Sequence, residues 1–420
     1  MSENSNLTPK IRFKGFTDAW EQRKVTDIGK ISIGLVTTMT SHYKNSGTLL
    51  IRNSDIKDNH FEFDEQPIYL DDEFANKNNN RKHNIGDVIT VHTGDVGTSA
   101  VIEENTDKSI GFATIITRPN QQIINSYYLS TFLNTEKHKN WAIAISTGDG
   151  RTNYNLGDYQ KLYMPLTKLE EQKKIADFVS NLDNLITLHQ RKYDKLMKIK
   201  SSLLEKMFPK NSSNIPEVRF KGFTDAWEQR KFDETVNRIS TGLNPRDNFV
   251  LNNGGKNYYV TIKNFTHGNL RLDSNCDMVD DVALSMIQKR SDLQKNDILF
   301  TSIGRIGDCY LIENKPKNWN INESVFTLRS NQKIVEPKYL FHTIHTDKVL
   351  NQILNDVTGS TFKSIKIADL KKISIPVTSK EEQLKIANFI SNVDNLITLH
   401  QRKLDKLQNI KKSLLEKMFV

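Results

Sequence analysis

Two cysteines in 420 residues, Cys276 and Cys309, are too few and too far apart for a disulfide framework or a metal-ligand spacing, and read as reduced thiols. No apolar run approaches the roughly 18 residues that a membrane-spanning helix needs. The opening MSENSNLTPK has neither a basic n-region nor an apolar h-region. The expectation is a cytoplasmic protein with no membrane contact. Catalytic signatures are missing as well. There is no GxxxxGKS/T phosphate loop, since Gly255-Lys256 is followed by Asn257, and no GxGxxG, HExxH or GxSxG. The D/N-P-P-F/Y signature of adenine methyltransferases and a PD…(D/E)xK nuclease arrangement are likewise absent. No catalytic residue and no metal site is expected, and the chain reads as a non-enzyme.

Neither sign of charge is scarce. Against 50 Asp and Glu stand 59 Lys and Arg, and the surplus of +9 hints at a polyanionic partner. Its distribution weakens the hint. Residues 25–169 carry 14 basic against 17 acidic side chains and residues 232–379 carry 19 against 16, so the whole surplus lies outside both blocks.

What is present is repetition. RFKGFTDAWEQRK runs from Arg12 to Lys24 and returns unchanged from Arg219 to Lys231. EQKKIADFVSNLDNLITLHQRKYDKLMKIKSSLLEKMFP (171–209) returns at 382–420 with thirty of thirty-nine positions identical. Between these stretches the copies have drifted. GDVITVHTGDVGTSAVIE (86–103) still matches NDILFTSIGRIGDCYLIE (296–313), each with a GxxG after a β-type run. ATIITR matches SVFTLR, and MPLTKLEEQ matches IPVTSKEEQ. The organisation is a short repeat (1–24), a variable domain (25–169), a long helix (170–208) and a linker (209–218). A second short repeat (219–231), variable domain (232–380) and helix (381–420) follow.

The variable blocks read as mixed α/β. LLIRNSDI, DVITVHTG and GFATIITR are short β-branched runs between turn signals, and INSYYLSTFLNTEKHKNWAIA has helical spacing. From 171 to 208 there is no Gly or Pro, and Ile175, Val179, Leu182, Ile186, His189, Tyr193, Leu196, Lys200, Leu203 and Met207 alternate steps of four and three. That is a heptad seam on a rod of roughly 57 Å. Its partner is the other copy. A linker of about ten residues spans at most roughly 33 Å, too short to return along the rod, so the copies should run antiparallel. His189 and His400 read as polar seam positions fixing register, and Lys200 and Lys411 as seam lysines reaching out to solvent. The expected fold is α+β: two similar globular domains joined by a long antiparallel two-helix coiled coil, with approximate two-fold symmetry.

Two variable domains, each closed by an EQxxIAxFxSNxDNLITLHQRK helix, resemble the specificity subunit of type I restriction–modification systems. The resemblance covers nearly the whole chain. It implies that each variable block is a target recognition domain reading one half of a split double-stranded DNA sequence, while the helices set the gap. It also implies two modification subunits docked on the helices, and restriction subunits beyond them. S-adenosylmethionine, ATP and Mg would belong to those subunits, and this chain would bind no cofactor. Thr187, Gln190 and Arg191 lie off the seam yet recur as Thr398, Gln401 and Arg402, which marks them as candidates for docking a partner present twice.

Base readout requires Arg, Lys, Asn, Gln, Ser or Thr on loops that enter a groove. In the first block the candidates are Arg52 and Asn53, then Thr93, Gly94, Gly97 and Thr98 of the GxxG, then Thr147, Arg151 and Asn153. In the second they are Arg246, Lys263 with Asn264, and Ser302, Gly304, Arg305 and Gly307 of the GxxG. Thr358, Ser360, Thr361 and Lys363 complete that set. The competing expectation is a coiled-coil adaptor whose globular ends bind proteins, favoured by the acidic balance of the first block.

Overall fold

The computed structural model describes residues 7–146, 152–210, 213–266, 268–355 and 363–419. The chain folds as two compact units, residues 1–190 with 402–420, and residues 191–401.

In the first unit an antiparallel sheet has the spatial order Gly29–Ile33, Ile115–Pro119, Val88–Thr90, Ser99–Val101. The run DVITV is apolar almost without a break because both faces of the sheet are covered. Val88, Val101 and Ile115 face a core with Tyr128, Leu129 and Phe132, whereas Ile89, Ala100 and Ile116 face another with Ile51 and Ile56. A smaller sheet lies beside it, ordered Ile110–Gly111, Thr48–Ile51, Tyr69–Leu70, Tyr43–Lys44.

The second unit repeats this plan with different residues. Its sheet is ordered Val236–Thr241, Val325–Ser330, Ile298–Thr301, Cys309–Leu311, and its smaller sheet Asp277–Val279, Asn257–Val260, Trp319–Ile321. One ion pair explains two of the surviving identities. Arg118 grips Asp87 at 2.9 and 2.7 Å in the first unit, and Arg329 grips Asp297 at 2.9 and 2.9 Å in the second. Each aspartate is buried, so its charge has to be met by a fixed bidentate partner.

The long helices run Leu169–Lys206 and Lys380–Met418. In the first unit Ile175 and Val179 share a core with Leu415, Met418 and Phe419. In the second, Leu203, Leu204 and Met207 pack with Ile386 and Ile390. Early residues of one helix meet late residues of the other, so the pairing is antiparallel in each unit. The seam lysines do not reach out to solvent. Lys411 bonds to Asp183 at 2.5 Å with 15% of its side chain exposed, and Lys200 bonds to Asp394 at 2.7 Å with 26% exposed. A carboxylate on the facing helix is nearer than bulk water, and a half-buried lysine that takes it also pins the register.

The short repeat holds both helix ends. Arg12 chelates Glu171 at 2.7 and 2.9 Å, Thr167 donates to the same carboxylate, and the Trp20 indole N–H adds a third donor at 3.2 Å. The backbone N–H of Ile11 meets the Lys417 carbonyl at 3.1 Å. In the second unit Arg219 chelates Glu382 at 2.7 and 2.8 Å, and the N–H of Val218 meets the Lys206 carbonyl at 2.9 Å. Adjacent glutamines tie the helix starts to the variable domains. Gln172 accepts from the N–H of Asn125 at 2.8 Å, and Gln383 from that of Glu336 at 2.8 Å. The start of each repeat, with the residue just before it, is thus a clamp used twice.

Two histidines of the first unit are buried and neutral. Burial pushes His138 down to about 4, with the Leu133 carbonyl pulling weakly the other way, and pushes His83 down to about 3. Unfolding returns each to its ordinary value of about 6.5. Below that pH the unfolded chain therefore binds more protons than the folded one. Stability is complete above pH ~6.5 and declines as pH falls toward 4, by about 1.4 kcal/mol per pH unit for each histidine. Urea unfolding at pH 6.5 and pH 5 should show His83→Gln losing about 2 kcal/mol less than the parent over that interval. An equal loss would remove His83 from the account.

Candidate nucleic-acid interface

The candidate loops of the first unit gather at one end of its sheet. After Val88–Thr90 the chain turns through Thr93 to Thr98 and enters Ser99–Val101. Gly94 and Gly97 hold φ of +101° and +85°, which a side chain would strain, so both glycines have a backbone reason to be there. Thr98 is buried and its hydroxyl donates to Asp95 at 2.8 Å. Asn153 returns beside this turn: it bridges to Thr93, whose hydroxyl donates to the Asn153 side-chain oxygen at 2.8 Å. Asn53 completes the cluster by accepting from the His92 N–H at 2.8 Å and donating to the Phe112 carbonyl at 3.2 Å.

Asn53, Thr93 and Asn153 therefore meet in one network. Arg52 is instead paired with carboxylates. Asp55 at 2.6 Å and Asp64 at 2.8 Å hold it, and these hydrogen bonds, Asp55 first, raise its pKa further. Thr147 and Arg151 lie outside the described residues.

The second unit builds the same end from other side chains. Gly304 and Gly307 hold φ of +71° and +93°. Ser302 is buried, with its hydroxyl donating to the Ser324 carbonyl at 2.8 Å. The N–H of Gly304 reaches the Lys363 carbonyl at 3.3 Å, and Ile303 bridges to Ser364, so Lys363 arrives beside this turn as Thr152 and Asn153 do beside the first. Arg305 sits at the turn with 54% of its side chain exposed. Arg246 is exposed in the turn near Pro245. Thr358, Ser360 and Thr361 lie outside the described residues.

Lys263 is exposed, whereas Asn264 is buried and accepts from the Thr261 N–H at 2.8 Å. The same cap forms in the first unit between the Arg52 N–H and Asp55 at 2.8 Å. Arg52 therefore corresponds to Thr261 and Asp55 to Asn264. On this path Lys263 stands where the first unit has Ser54.

On the long helices Thr187, Arg191 and Arg402 are exposed, while Gln190, Thr398 and Gln401 are half-buried. Beside them Leu185 and Leu188 are each 45% exposed, and Leu396 and Leu399 are 47% and 45% exposed. Sequence reading passed over these leucines, although their signal was plain: LITLH is identical in both copies yet supplies more apolar side chains than a two-position seam can bury. It also passed over Glu171 and Glu382, whose signal was the shared EEQ. Among the described residues no helix is long and apolar enough to cross a membrane.

The fold is thus a duplicated mixed α/β module, with one clamp and one helix pairing used twice and two different loop clusters. A family model described as type I restriction modification DNA specificity domain matches residues 17–198 and 224–409, so the chain belongs to that family, as a type I restriction–modification DNA specificity subunit. It is 25% identical over 347 residues to the MjaX type I restriction enzyme specificity subunit of Methanocaldococcus jannaschii, across 79% of this chain and 77% of that one. The MjaIX specificity subunit of the same organism is 21% identical over 412 residues, covering 95% and 92%. The S subunit of a type I restriction–modification system from M. genitalium shares the fold at TM-score 0.67 and 14% identity, covering 98% of this chain and 99% of that one. These matches do not favour the adaptor alternative.

Proposed function

We propose that each unit reads one half of a bipartite double-stranded DNA target. In this reading the long helices fix the gap between the halves and carry two modification subunits, with restriction subunits joining the assembly. The chain is a non-catalytic guide. S-adenosylmethionine is used by the modification subunits, and ATP with Mg by the restriction subunits. One observation carries the reading: the clamp residues Arg12, Glu171 and Gln172 recur as Arg219, Glu382 and Gln383, while the loop clusters around Gly94 and Gly304 keep only their backbone path. An unchanged frame suits one kind of partner bound twice, and divergent loops suit two different half-sites. The exposed leucines beside Thr187 and Thr398 support a protein partner on the helices.

The test is a domain exchange. Residues 29–160 would be replaced by the matching block of another family member, and the assembled methyltransferase complex mapped for methylated adenines. One half of the methylated motif should change, with the other half and the gap preserved. A motif altered in both halves, or in neither, would refute the assignment.

A further inference from the structure

We propose that the residue after the first glycine of each GxxG turn selects one base of its half-site, Arg305 a guanine and Asp95 a cytosine. The inference rests on the half-site reading above and assigns chemistry within it. The two turns share a backbone. Both GxxG glycines have positive φ in each unit, and the first donates its N–H to a returning strand, to the Thr152 carbonyl at 3.4 Å and the Lys363 carbonyl at 3.3 Å. Asp95 and Arg305 occupy the same position on that path, both exposed and opposite in charge.

Each side chain is half-anchored and half-open. Arg305 spends Nη2 on the carbonyls of Ile262 at 3.3 Å and Phe265, and its Nε faces Asp308 at 3.4 Å. Nη1, with both its hydrogens, takes no part in these contacts. Asp95 uses Oδ2 to accept from Thr98 at 2.8 Å, and Oδ1 stays outside that bond. Anchoring fixes the direction of the remaining group, which base readout needs and mere charge neutralisation does not.

The chemistry then differs by side chain. The one amino group left, Nη1, can reach O6 and N7 of guanine as a lysine ammonium does, on the one major-groove edge that offers two acceptors together. A carboxylate exposed on a DNA-facing loop is repelled by phosphates and belongs there only if it accepts a base amino group, and cytosine N4 is the group it fits. Equal backbones with opposite charge thus give two half-sites different bases at equivalent places.

The experiment uses the chain assembled with its modification subunits, methylating a library with randomised half-sites. Arg305→Ala should cut the preference for guanine at one position of one half by about ten- to a hundredfold, leaving every other position as it was. Asp95→Asn, which keeps size and can donate as well as accept, should relax cytosine at one position of the other half. A uniform loss across all sequences, with the salt dependence reduced by about one phosphate contact, would overturn the proposal in favour of backbone contact. An unchanged motif in both variants would overturn it outright. The half-site reading would survive either result, because it stands or falls on the domain exchange.

Discussion

Glu171→Ala is expected to destabilise the first unit by about 3–5 kcal/mol, because it strands a buried cation. The Glu171 side chain is fully buried and that of Arg12 is 11% exposed, so water does not replace the lost carboxylate. Hydrogen bonding to Glu171, ahead of the opposing effect of burial, raises the pKa of Arg12, so the guanidinium stays charged rather than giving up its proton. The substitution also removes the acceptor of the Trp20 indole N–H. Two controls separate these terms. Arg12→Ala with Glu171→Ala removes the charge with its partner and should recover part of the loss. Glu382→Ala should be milder by about 1 kcal/mol, because the Trp227 N–H has no hydrogen-bond partner among the described residues to lose. Urea unfolding of the three variants measures this, and equal losses from Glu171→Ala and the double variant would refute the clamp.

Phe419→Ala should cost a similar amount, about 3–5 kcal/mol, for an apolar reason. Its ring lies 6.1 Å from Trp20, 5.4 Å from Tyr128 and 5.7 Å from Phe132, and it is 7% exposed. Removing it opens a cavity between rings held by strands and helices that do not collapse inward. Phe208 does the same in the second unit, 5.8 Å from Trp227 and 5.5 Å from Tyr339, so Phe208→Ala should match it. Phe419→Leu should lose less than half as much. Thermal unfolding reads the order, and a Phe419→Ala melting curve like that of the parent would sink it.

The helices, their pairing and the duplicated plan were legible because each leaves a periodic trace. The seam alternates threes and fours over ten positions, and Ile175, Val179 and Met207 are buried as that spacing requires. The EEQ recurs because its glutamate and glutamine each bind a different element. What sequence did not disclose was which individual side chains meet. Asp183 is one letter among many until Lys411 is placed opposite it, and Arg52 is a plausible DNA ligand until Asp55 and Asp64 close on it. The correspondence between Arg52 and Thr261 was hidden for the same reason. The two segments share little side-chain similarity, and it is the capping hydrogen bond, which depends on the backbone, that aligns them.

The composition of the first unit has a bearing on biosynthesis. Its core draws on residues 402–419 as well as 7–190, whereas the second unit is one continuous stretch. As the polypeptide emerges, Trp20, Tyr128 and Phe132 wait without Phe419 until the intervening residues are added, at roughly 5–20 per second. The order of maturation is thereby reversed: the later-made unit closes first, and the earlier one is sealed by the tail.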